Sequence, residues 1–289
     1  MIYHLLTPPS RHVINILATR PGIRPRGRKG SLMKTATTVT KLCRVMEQFQ
    51  ERQSFGITDL ARRTDLLPSD VHRILTSLRA YGYIEQDTET KKYRLGFAVL
   101  RLGLTVFRRN QLHEKSHPVL VRLSQKIGAA THLALLDERE LKVFLVDQIE
   151  GPNGPVFSDH LGASERLHCT ALGKTIIANL SRNVALPAVE KGGLTQCTRH
   201  TITNMSILEQ QLEGIRRLGY AVDREECVTG LCCVASPLRD HTGNVVGAIS
   251  TSMPSSQFIL WDESSLGAHL KAAALNVSAA MATSKAASF

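Results

Sequence analysis

Residues 39–95 carry three helical patterns followed by two strand patterns, an order that few folds accommodate. A first amphipathic helix is predicted over 39–50, because apolar residues recur there at a spacing of roughly i, i+3, i+4 and i+7: Val39, Leu42, Cys43, Met46 and Phe49. A short second helix is predicted over 57–63, and a tight turn separates it from a third helix that begins at Pro68. Two short strands around a polar turn complete the segment over 83–95 and predict a hairpin.

The predicted third helix has two distinct faces. Apolar side chains recur on one face, at Val71, Ile74, Leu75 and Leu78. Polar side chains recur at the same spacing about 200° around the helix, at Ser69, His72, Arg73 and Thr76. A polar stripe is often only a solvated face, so the stripe alone does not establish a binding surface. Tyr81 and Tyr83, which follow the helix, are expected to pack under the hairpin.

Three helices and a hairpin in this order form a winged helix-turn-helix, which we predict for residues 34–96. In that fold the third helix enters the major groove of double-stranded DNA, where Arg73 suits a bidentate contact with guanine. The rest of the polar stripe suits base edges or phosphates. The other predicted DNA-binding residues are Thr58, Lys91, Lys92 and Arg94. Thr58 is expected to cap the second helix, and the three basic residues on the hairpin are expected to contact the DNA backbone.

The net charge of +11 arises from 36 basic and 25 acidic residues that are unevenly distributed. Residues 1–33 hold six basic and no acidic residues, residues 34–110 hold 14 and 8, and residues 111–289 hold 16 and 17. The basic excess therefore lies wholly in the first 110 residues, which favours a polyanion as their partner and a different partner for the remainder. No apolar stretch reaches the roughly 18 residues of a membrane span, so no membrane partner is expected.

Residues 1–33 are interpreted as an addition to a domain that begins near Met33. Proline, glycine and arginine crowd this segment and oppose regular structure. We expect a disordered basic tail, or a start codon placed too early. An organelle transit peptide and a phosphate-binding arm are the alternatives.

Residues 97–112 are predicted to form a linker helix that is apolar on nearly every side. Such a helix does not stay exposed, so we expect it to pack against a second copy of itself. Self-association as a homodimer or homotetramer follows, and a dimer suits the palindromic half-sites of an operator. The alternative is a helix buried within its own chain.

Residues 113–289 are predicted to form an α+β domain with one central antiparallel sheet. The predicted helices cover 119–126, 170–180, 207–218 and 262–281. The predicted strands cover 131–136, 141–146, 220–223, 232–238 and 245–252.

Six cysteines are irregularly spaced, at Cys43, Cys169, Cys197, Cys227, Cys232 and Cys233. They contain no C-x-x-C pair, so a zinc site built from four thiolates is not indicated. A disulfide framework is also not expected at this chain length. We therefore expect reduced thiols in a cytoplasmic protein, with no metal and no cofactor.

Three segments of the predicted α+β domain resemble the IclR-type transcriptional regulators. The segment 168–174 is similar to that family's H-x-[ST]-x-x-G-K element, and 219–237 is similar to its GYA-x-D-x-EE…G-x-x-C-x-A-x-P signature. The segment 245–252 fits its final strand. The segments occur in the family's order and spacing, so the resemblance covers residues 34–285 approximately.

The resemblance implies that 113–289 is a GAF-like effector-binding domain that senses a small organic acid or aromatic metabolite. Its implied effector-binding residues are Ala171, Leu172, Asp223, Cys233, Ser250 and Ser252. Ala171 and Leu172 would offer backbone amides in the first turn of a helix that Thr170 can cap, and the helix dipole there favours a carboxylate. The apolar residues Leu133, Phe144 and Phe157 are expected to close the site.

Other interpretations of these residues remain open. Ser250 and Ser252 are equally typical of plain strand serines, with no role in binding. Cys233 is equally typical of an inert buried thiol. Because Cys232 is adjacent to it, the sequence leaves open which of the two thiols faces the site. The alternative for Asp223 is a simple pairing with Arg224 or a loop amide, and the alternative for Lys174 is that it only neutralises an acidic neighbour.

Two other functions compete with a ligand-responsive regulator, which we expect not to be an enzyme. A thiol enzyme would use Cys233 with His168 and Asp223, but the sequence has no nucleophile elbow, P-loop or dinucleotide fingerprint. A metal-dependent regulator would use His168, Cys169 and Cys227, whose spacing matches no standard zinc pattern.

Overall fold

The computed structural model describes residues 37–109, 111–152 and 161–286, and it divides into two compact units. The first unit ends at residue 110 and the second begins at Gln111. The predicted tail over 1–33 and the predicted site residue Phe157 lie outside the described residues.

The first unit contains four helices and a hairpin among its described residues. They are α1 (Thr37–Gln48), α2 (Ile57–Thr64), α3 (Pro68–Ala80), β1 (Ile84–Gln86), β2 (Tyr93–Leu95) and α4 (Phe97–Arg109). The two strands pair antiparallel, with Ile84 opposite Leu95 and Gln86 opposite Tyr93. The predicted winged helix-turn-helix is confirmed.

The core of the first unit is built by the apolar stripe of α3, since Val71, Ile74, Leu75 and Leu78 are all buried. The buried face of α1 differs in part from the predicted face. Val39 and Cys43 are exposed, whereas Val45 and Phe49 are buried. The inward face of α1 therefore keeps Leu42, Met46 and Phe49 of the predicted face, and Val45 takes the place of Val39 and Cys43.

The second unit contains six helices and six strands among its described residues. They are α5 (Gln111–Ile127), β3 (Ala130–Asp137), β4 (Lys142–Ile149), β5 (Ser164–Glu165), α6 (Ala171–Ala178), α7 (Arg182–Gly192), α8 (Met205–Leu218), β6 (Ala221–Arg224), β7 (Leu231–Arg239), β8 (Val245–Pro254), α9 (Ser255–Phe258) and α10 (Glu263–Ala286). The strand order is β5-β4-β3-β8-β7-β6, and every neighbouring pair is antiparallel. The predicted α+β fold with a central antiparallel sheet is confirmed.

The two faces of this sheet carry different helices. Leu133, Val234 and Ile249 belong to the core that the sheet shares with α5 and α10. Alternate strand positions such as Ala134, Ala235 and Ala248 belong to a second core that includes α6. Within the described residues no helix is both long and apolar enough to cross a membrane.

Candidate DNA-binding surface and effector site

The turn between α2 and α3 sets the direction of the candidate recognition helix. Asp65 ends α2 with a left-handed backbone (φ 55°), which a short polar side chain tolerates. Pro68 then takes the first position of α3, where its missing N–H costs nothing. With the apolar stripe buried, the four residues of the predicted polar stripe are all exposed, at Ser69, His72, Arg73 and Thr76.

Arg73 is only loosely held in the absence of DNA. Its nearest guanidinium nitrogen lies 3.4 Å from Asp70 Oδ1, whereas Lys41 Nζ donates to Asp70 Oδ2 at 2.6 Å. The hydrogen bond from Lys41 holds the pKa of the Asp70 carboxyl below its ordinary value. Because Lys41 already neutralises this carboxylate, Arg73 can turn away from Asp70 at little electrostatic cost.

Two expectations for this surface are wrong. Thr58 does not cap α2, because the N-cap position is occupied by Gly56, which has no side chain. Thr58 instead lies inside the first turn of the helix, where its side chain is exposed. Tyr81 does not pack under the hairpin, since 78% of it is exposed, whereas Tyr83 packs at the edge of the core. Gly82 adopts φ 72° between the two tyrosines and turns the chain into β1.

The three basic residues of the hairpin differ in their availability. Asp87 accepts hydrogen bonds from the amides of Glu89 and Thr90, which closes the turn that carries Lys91 and Lys92, both exposed. Arg94 instead donates to Glu85 on the opposite strand, at 3.1 and 3.2 Å. The two lysines are therefore freer than Arg94 to meet a phosphate.

The N-terminus of α6 forms one side of the candidate effector site. The Thr170 hydroxyl accepts a hydrogen bond from the Gly173 amide at 3.0 Å and donates to the Arg166 carbonyl at 2.7 Å, so the predicted cap is confirmed. Among the described residues, the amides of Ala171 and Leu172 have no acceptor. Two free donors at a helix N-terminus favour an anion.

A row of polar side chains crosses the sheet on the face that carries α6. Asp223 pairs with Cys233, and Cys233 pairs with Ser252, so the three side chains lie side by side. Cys233 Sγ lies 3.1 Å from Ser252 Oγ. Ser250 lies two residues along the same strand and therefore shares this face. The structure thus brings together the predicted Asp223, Cys233, Ser250 and Ser252.

Cys233, rather than Cys232, shares this face. Cys232 pairs with Arg224 and Met253, at positions that alternate to the opposite face. Burial raises the pKa of the Cys233 thiol well above its ordinary value, so the thiol is protonated. A nucleophilic cysteine needs the opposite shift. The His168 ring is engaged elsewhere, donating from Nε2 to the Thr195 carbonyl at 3.0 Å.

Asp223 is the most perturbed carboxyl of the site. Only 2% of it is exposed, and Oδ1 accepts the Glu226 amide at 2.7 Å. Burial raises the pKa of Asp223 to about 7, although the nearby Lys174 acts in the other direction. Near neutral pH this carboxyl can therefore hold a proton and donate it to a ligand oxygen.

Lys174 has the structural role that the sequence predicted. It is fully buried, and Nζ donates to the Val222 carbonyl at 2.6 Å and to Glu226 Oε1 at 2.5 Å. The other carboxylate oxygen, Glu226 Oε2, is buried with no hydrogen-bond partner among the described residues. This ion pair joins α6 to the turn after β6, beside Asp223.

His132 is a polar residue of this face that the sequence pattern did not predict. His132 on β3 pairs with Ser250, and its Nδ1 lies 3.4 Å from Ser250 Oγ. Nε2 is buried and has no partner among the described residues, and burial lowers the pKa of the ring to about 4. A neutral imidazole with an unused nitrogen is therefore available. The signal was a single histidine inside an otherwise apolar strand.

The expected apolar lid is wrong in two places. Leu133 belongs to the core shared with α5 and α10, on the opposite face of the sheet. Phe144 alternates with Val143 and Leu145, both of which pack in the α6 core, so it also faces away from the site. A shift of one residue along a strand moves a side chain to the other face.

Comparison with known proteins gives family matches over both units. The family model "Bacterial transcriptional regulator IclR C-terminal" matches residues 104–279, and the model "IclR helix-turn-helix domain" matches residues 38–88. The regulator XynR of Escherichia coli is 32% identical over 221 residues, which are 76% of this chain and 87% of XynR.

Solved structures share the fold. The structure of a putative IclR regulator from Silicibacter is 25% identical in sequence to this chain, with a TM-score of 0.75. The match covers 85% of this chain and 96% of the Silicibacter chain. An IclR homologue from Microbacterium hydrocarbonoxydans, complexed with 4-hydroxybenzoate, is 21% identical with a TM-score of 0.74, and covers 86% of this chain and 100% of its own. With family matches over both units, this chain belongs to the IclR family of transcriptional regulators, with a DNA-binding helix-turn-helix and a C-terminal effector domain.

Proposed function

We propose that this chain binds an operator through the exposed stripe of α3 and changes its operator affinity when a small carboxylic acid binds the effector domain. The observation that carries the effector half is the pair of free amides at Ala171 and Leu172, on the sheet face that holds the buried polar row. A ligand that fits both features would place a carboxylate at the two amides and a second oxygen-containing group over the buried polar row. A small carboxylic acid with a hydroxyl or keto group meets both requirements.

The proposed DNA contacts divide into two kinds. On α3, Arg73 reads base edges together with Ser69, His72 and Thr76. The proposed backbone contacts are Thr58, Lys91, Lys92 and Arg94, and we expect Arg94 to contribute least because Glu85 holds it.

Duplexes selected from a random library by the full chain test these two roles. Arg73→Ala should cost about 1–3 kcal/mol and relax the choice of one base, because a bidentate contact is lost. Lys91→Ala should weaken all duplexes alike and lower the salt slope by about 1. Arg199→Ala, an exposed change in the second unit, is the control. Unchanged base preference for Arg73→Ala would refute the proposed contact.

In the effector site, we propose that the carboxylate meets the α6 amides and that the second oxygen group meets Asp223, Ser250 and Ser252. Cys233 lies in the middle of the row as a protonated thiol. His132 Nε2 supplies a further polar group on the same face. Because Asp223 can hold a proton near neutral pH, it suits a keto or hydroxyl oxygen.

A thermal-shift panel of sugar acids, dicarboxylates, glyoxylate and aromatic acids identifies the acid class. The panel includes 4-hydroxybenzoate, which the Microbacterium homologue holds. Each acid is paired with its amide, which has the same shape without the charge. We expect a concentration-dependent rise in Tm for one acid and not for its amide, because a ligand of the folded state stabilises it. A panel in which every acid behaves as its amide does would reject the effector proposal.

We also propose that α4 mediates self-association. Five of its large apolar side chains are 43–70% exposed: Phe97, Leu100, Leu102, Leu104 and Val106. Sedimentation should show a dimer or tetramer that Leu102→Glu dissociates, while the neighbouring Arg101→Glu leaves it intact. Identical sedimentation of the two variants would count against α4 as the interface.

A further inference from the structure

Three thiols and an imidazole converge just before α6, outside the row of effector-site residues. Cys169 Sγ lies 3.7 Å from Cys197 Sγ, and the Cys227 thiol lies near enough to both for the three thiols to influence one another's pKa. One ligand atom each of His168, Cys169 and Cys197 lies within 4.8 Å of the others. His168 and Cys169 are buried, and Cys197 and Cys227 are half-buried.

We propose that His168, Cys169, Cys197 and Cys227 bind one Zn²⁺ ion as a structural site. One imidazole with three thiolates is a standard set of ligands for structural zinc. Tetrahedral coordination with Zn–S bonds of about 2.3 Å places two sulfurs about 3.8 Å apart. The distance of 3.7 Å between the sulfurs of Cys169 and Cys197 matches that value, whereas a disulfide needs about 2.05 Å.

The loops that carry two of the sulfurs are tied to each other by threonines. Thr198 Oγ1 donates to the Glu225 carbonyl and Thr201 Oγ1 to the Glu226 carbonyl, both at 2.6 Å. Thr201 Oγ1 also accepts the Cys197 amide at 3.0 Å. The hydroxyls of Thr198 and Thr201 therefore tie the loop that carries Cys197 to the turn that carries Cys227.

A backbone hydrogen bond occupies one ring nitrogen of His168 and leaves the other for a metal ion. His168 Nε2 donates to the Thr195 carbonyl at 3.0 Å, so the lone pair of the neutral ring is on Nδ1. Metal-bound histidines usually donate their second ring nitrogen to a carbonyl or carboxylate in this way. Nδ1 of His168 is thus the assigned ligand atom.

The net charge of the proposed site follows from its four ligands. As three Zn–S bonds form, the three thiol protons leave to solvent, and the completed site carries a net charge of −1. The Arg166 guanidinium is close enough to act on both His168 and Cys197, and it offsets that charge. With four protein ligands the coordination sphere is closed, which is typical of structural rather than catalytic zinc.

The test begins with the unmodified full chain, purified with a non-chelating reductant. Zinc content and Co²⁺ uptake are measured, since thiolate-to-cobalt charge-transfer bands report sulfur ligands directly. A second cluster, His113, His117 and Asp147, also brings metal-binding atoms within 4.8 Å, but it contains no sulfur. The charge-transfer bands therefore distinguish the two clusters.

We expect one zinc ion per chain and clear cobalt–thiolate bands. The double change Cys197→Ser with Cys227→Ser should abolish both, while Cys43→Ser, an exposed thiol on α1, should abolish neither. The bands of the unmodified chain do not depend on whether the double variant folds. Any one of three results would overturn the zinc site. They are the absence of the bands in the unmodified chain, cobalt–thiolate bands retained by a folded double variant, and a Cys169–Cys197 disulfide formed without metal uptake.

Discussion

Asp223→Asn tests the electrostatics of the effector site most sharply. Burial raises the pKa of Asp223 from 3.8 to about 7, and the side chain is too buried for solvent to screen the effect. A shift of about 3 pKa units corresponds to about 4 kcal/mol. Asparagine keeps an oxygen that can accept the Glu226 amide but does not titrate.

The sign follows from proton binding. Folded Asp223 holds its proton more tightly than unfolded Asp223, so its contribution to stability is greatest below pH 4 and is lost as pH rises towards 7. From pH 5 upwards the free energy of unfolding should fall by up to about 1.4 kcal/mol per pH unit relative to Asp223→Asn, and the slope should halve near pH 7, where folded Asp223 is half protonated. Above pH 7 the difference between the two proteins should become constant.

Urea unfolding at pH 5, 6, 7 and 8 measures this difference. The single tryptophan, Trp261, lies in the second unit and reports its unfolding by fluorescence. Asp240→Asn is the matched control, because hydrogen bonding from Thr242 lowers the pKa of Asp240 and moves its titration below this range. A difference between wild type and Asp223→Asn that stays constant from pH 5 to 8 would refute the reasoning.

Three further changes give separate predictions. Lys174→Met should cost about 3–5 kcal/mol in urea unfolding, because it leaves the Glu226 carboxylate buried without its cation; a loss below 1 kcal/mol would contradict this. Gly173→Ala should lower Tm, because a Cβ there overlaps the backbone of the preceding loop, and an unchanged Tm would exclude that close approach. Glu85→Gln should raise affinity for every duplex and steepen the salt dependence, because it frees Arg94; unchanged binding would show that Arg94 makes no phosphate contact.

The first unit could be predicted well because its signals are local. On α3 the apolar and polar residues separate at helical spacing, and burial follows that separation residue by residue. The same spacing rule fails on α1, because it predicts Cys43 on the inward face, where the structure has Val45. Periodicity defines a helix, but an ambiguous residue can be assigned to the wrong face.

The effector site could be predicted only in part. The family pattern predicts Asp223, Cys233 and Ser252, and antiparallel register then places them in one row. The orphan nitrogen of His132 depends on the pairing of β3 with β8, which joins residues more than a hundred positions apart. Local patterns carry no information about such a pairing.

The thiol cluster shows the same limit. The spacing of the cysteines along the chain does not predict a cluster, because Cys197 reaches Cys169 only where the loop after α7 folds back towards α6. That helix was not predicted at all, and Pro187 lies inside it. A proline within a helical pattern hides the helix from local analysis.

Linkage between the two ligands tests the central claim most directly. Fluorescence anisotropy gives the affinity of the full chain for a selected duplex, with and without the acid found by thermal shift. We predict that saturating acid changes duplex affinity by a factor of roughly 5–150, and that saturating duplex changes acid affinity by the same factor. Equal duplex affinity with and without the bound acid would contradict a regulator that senses its effector through this domain.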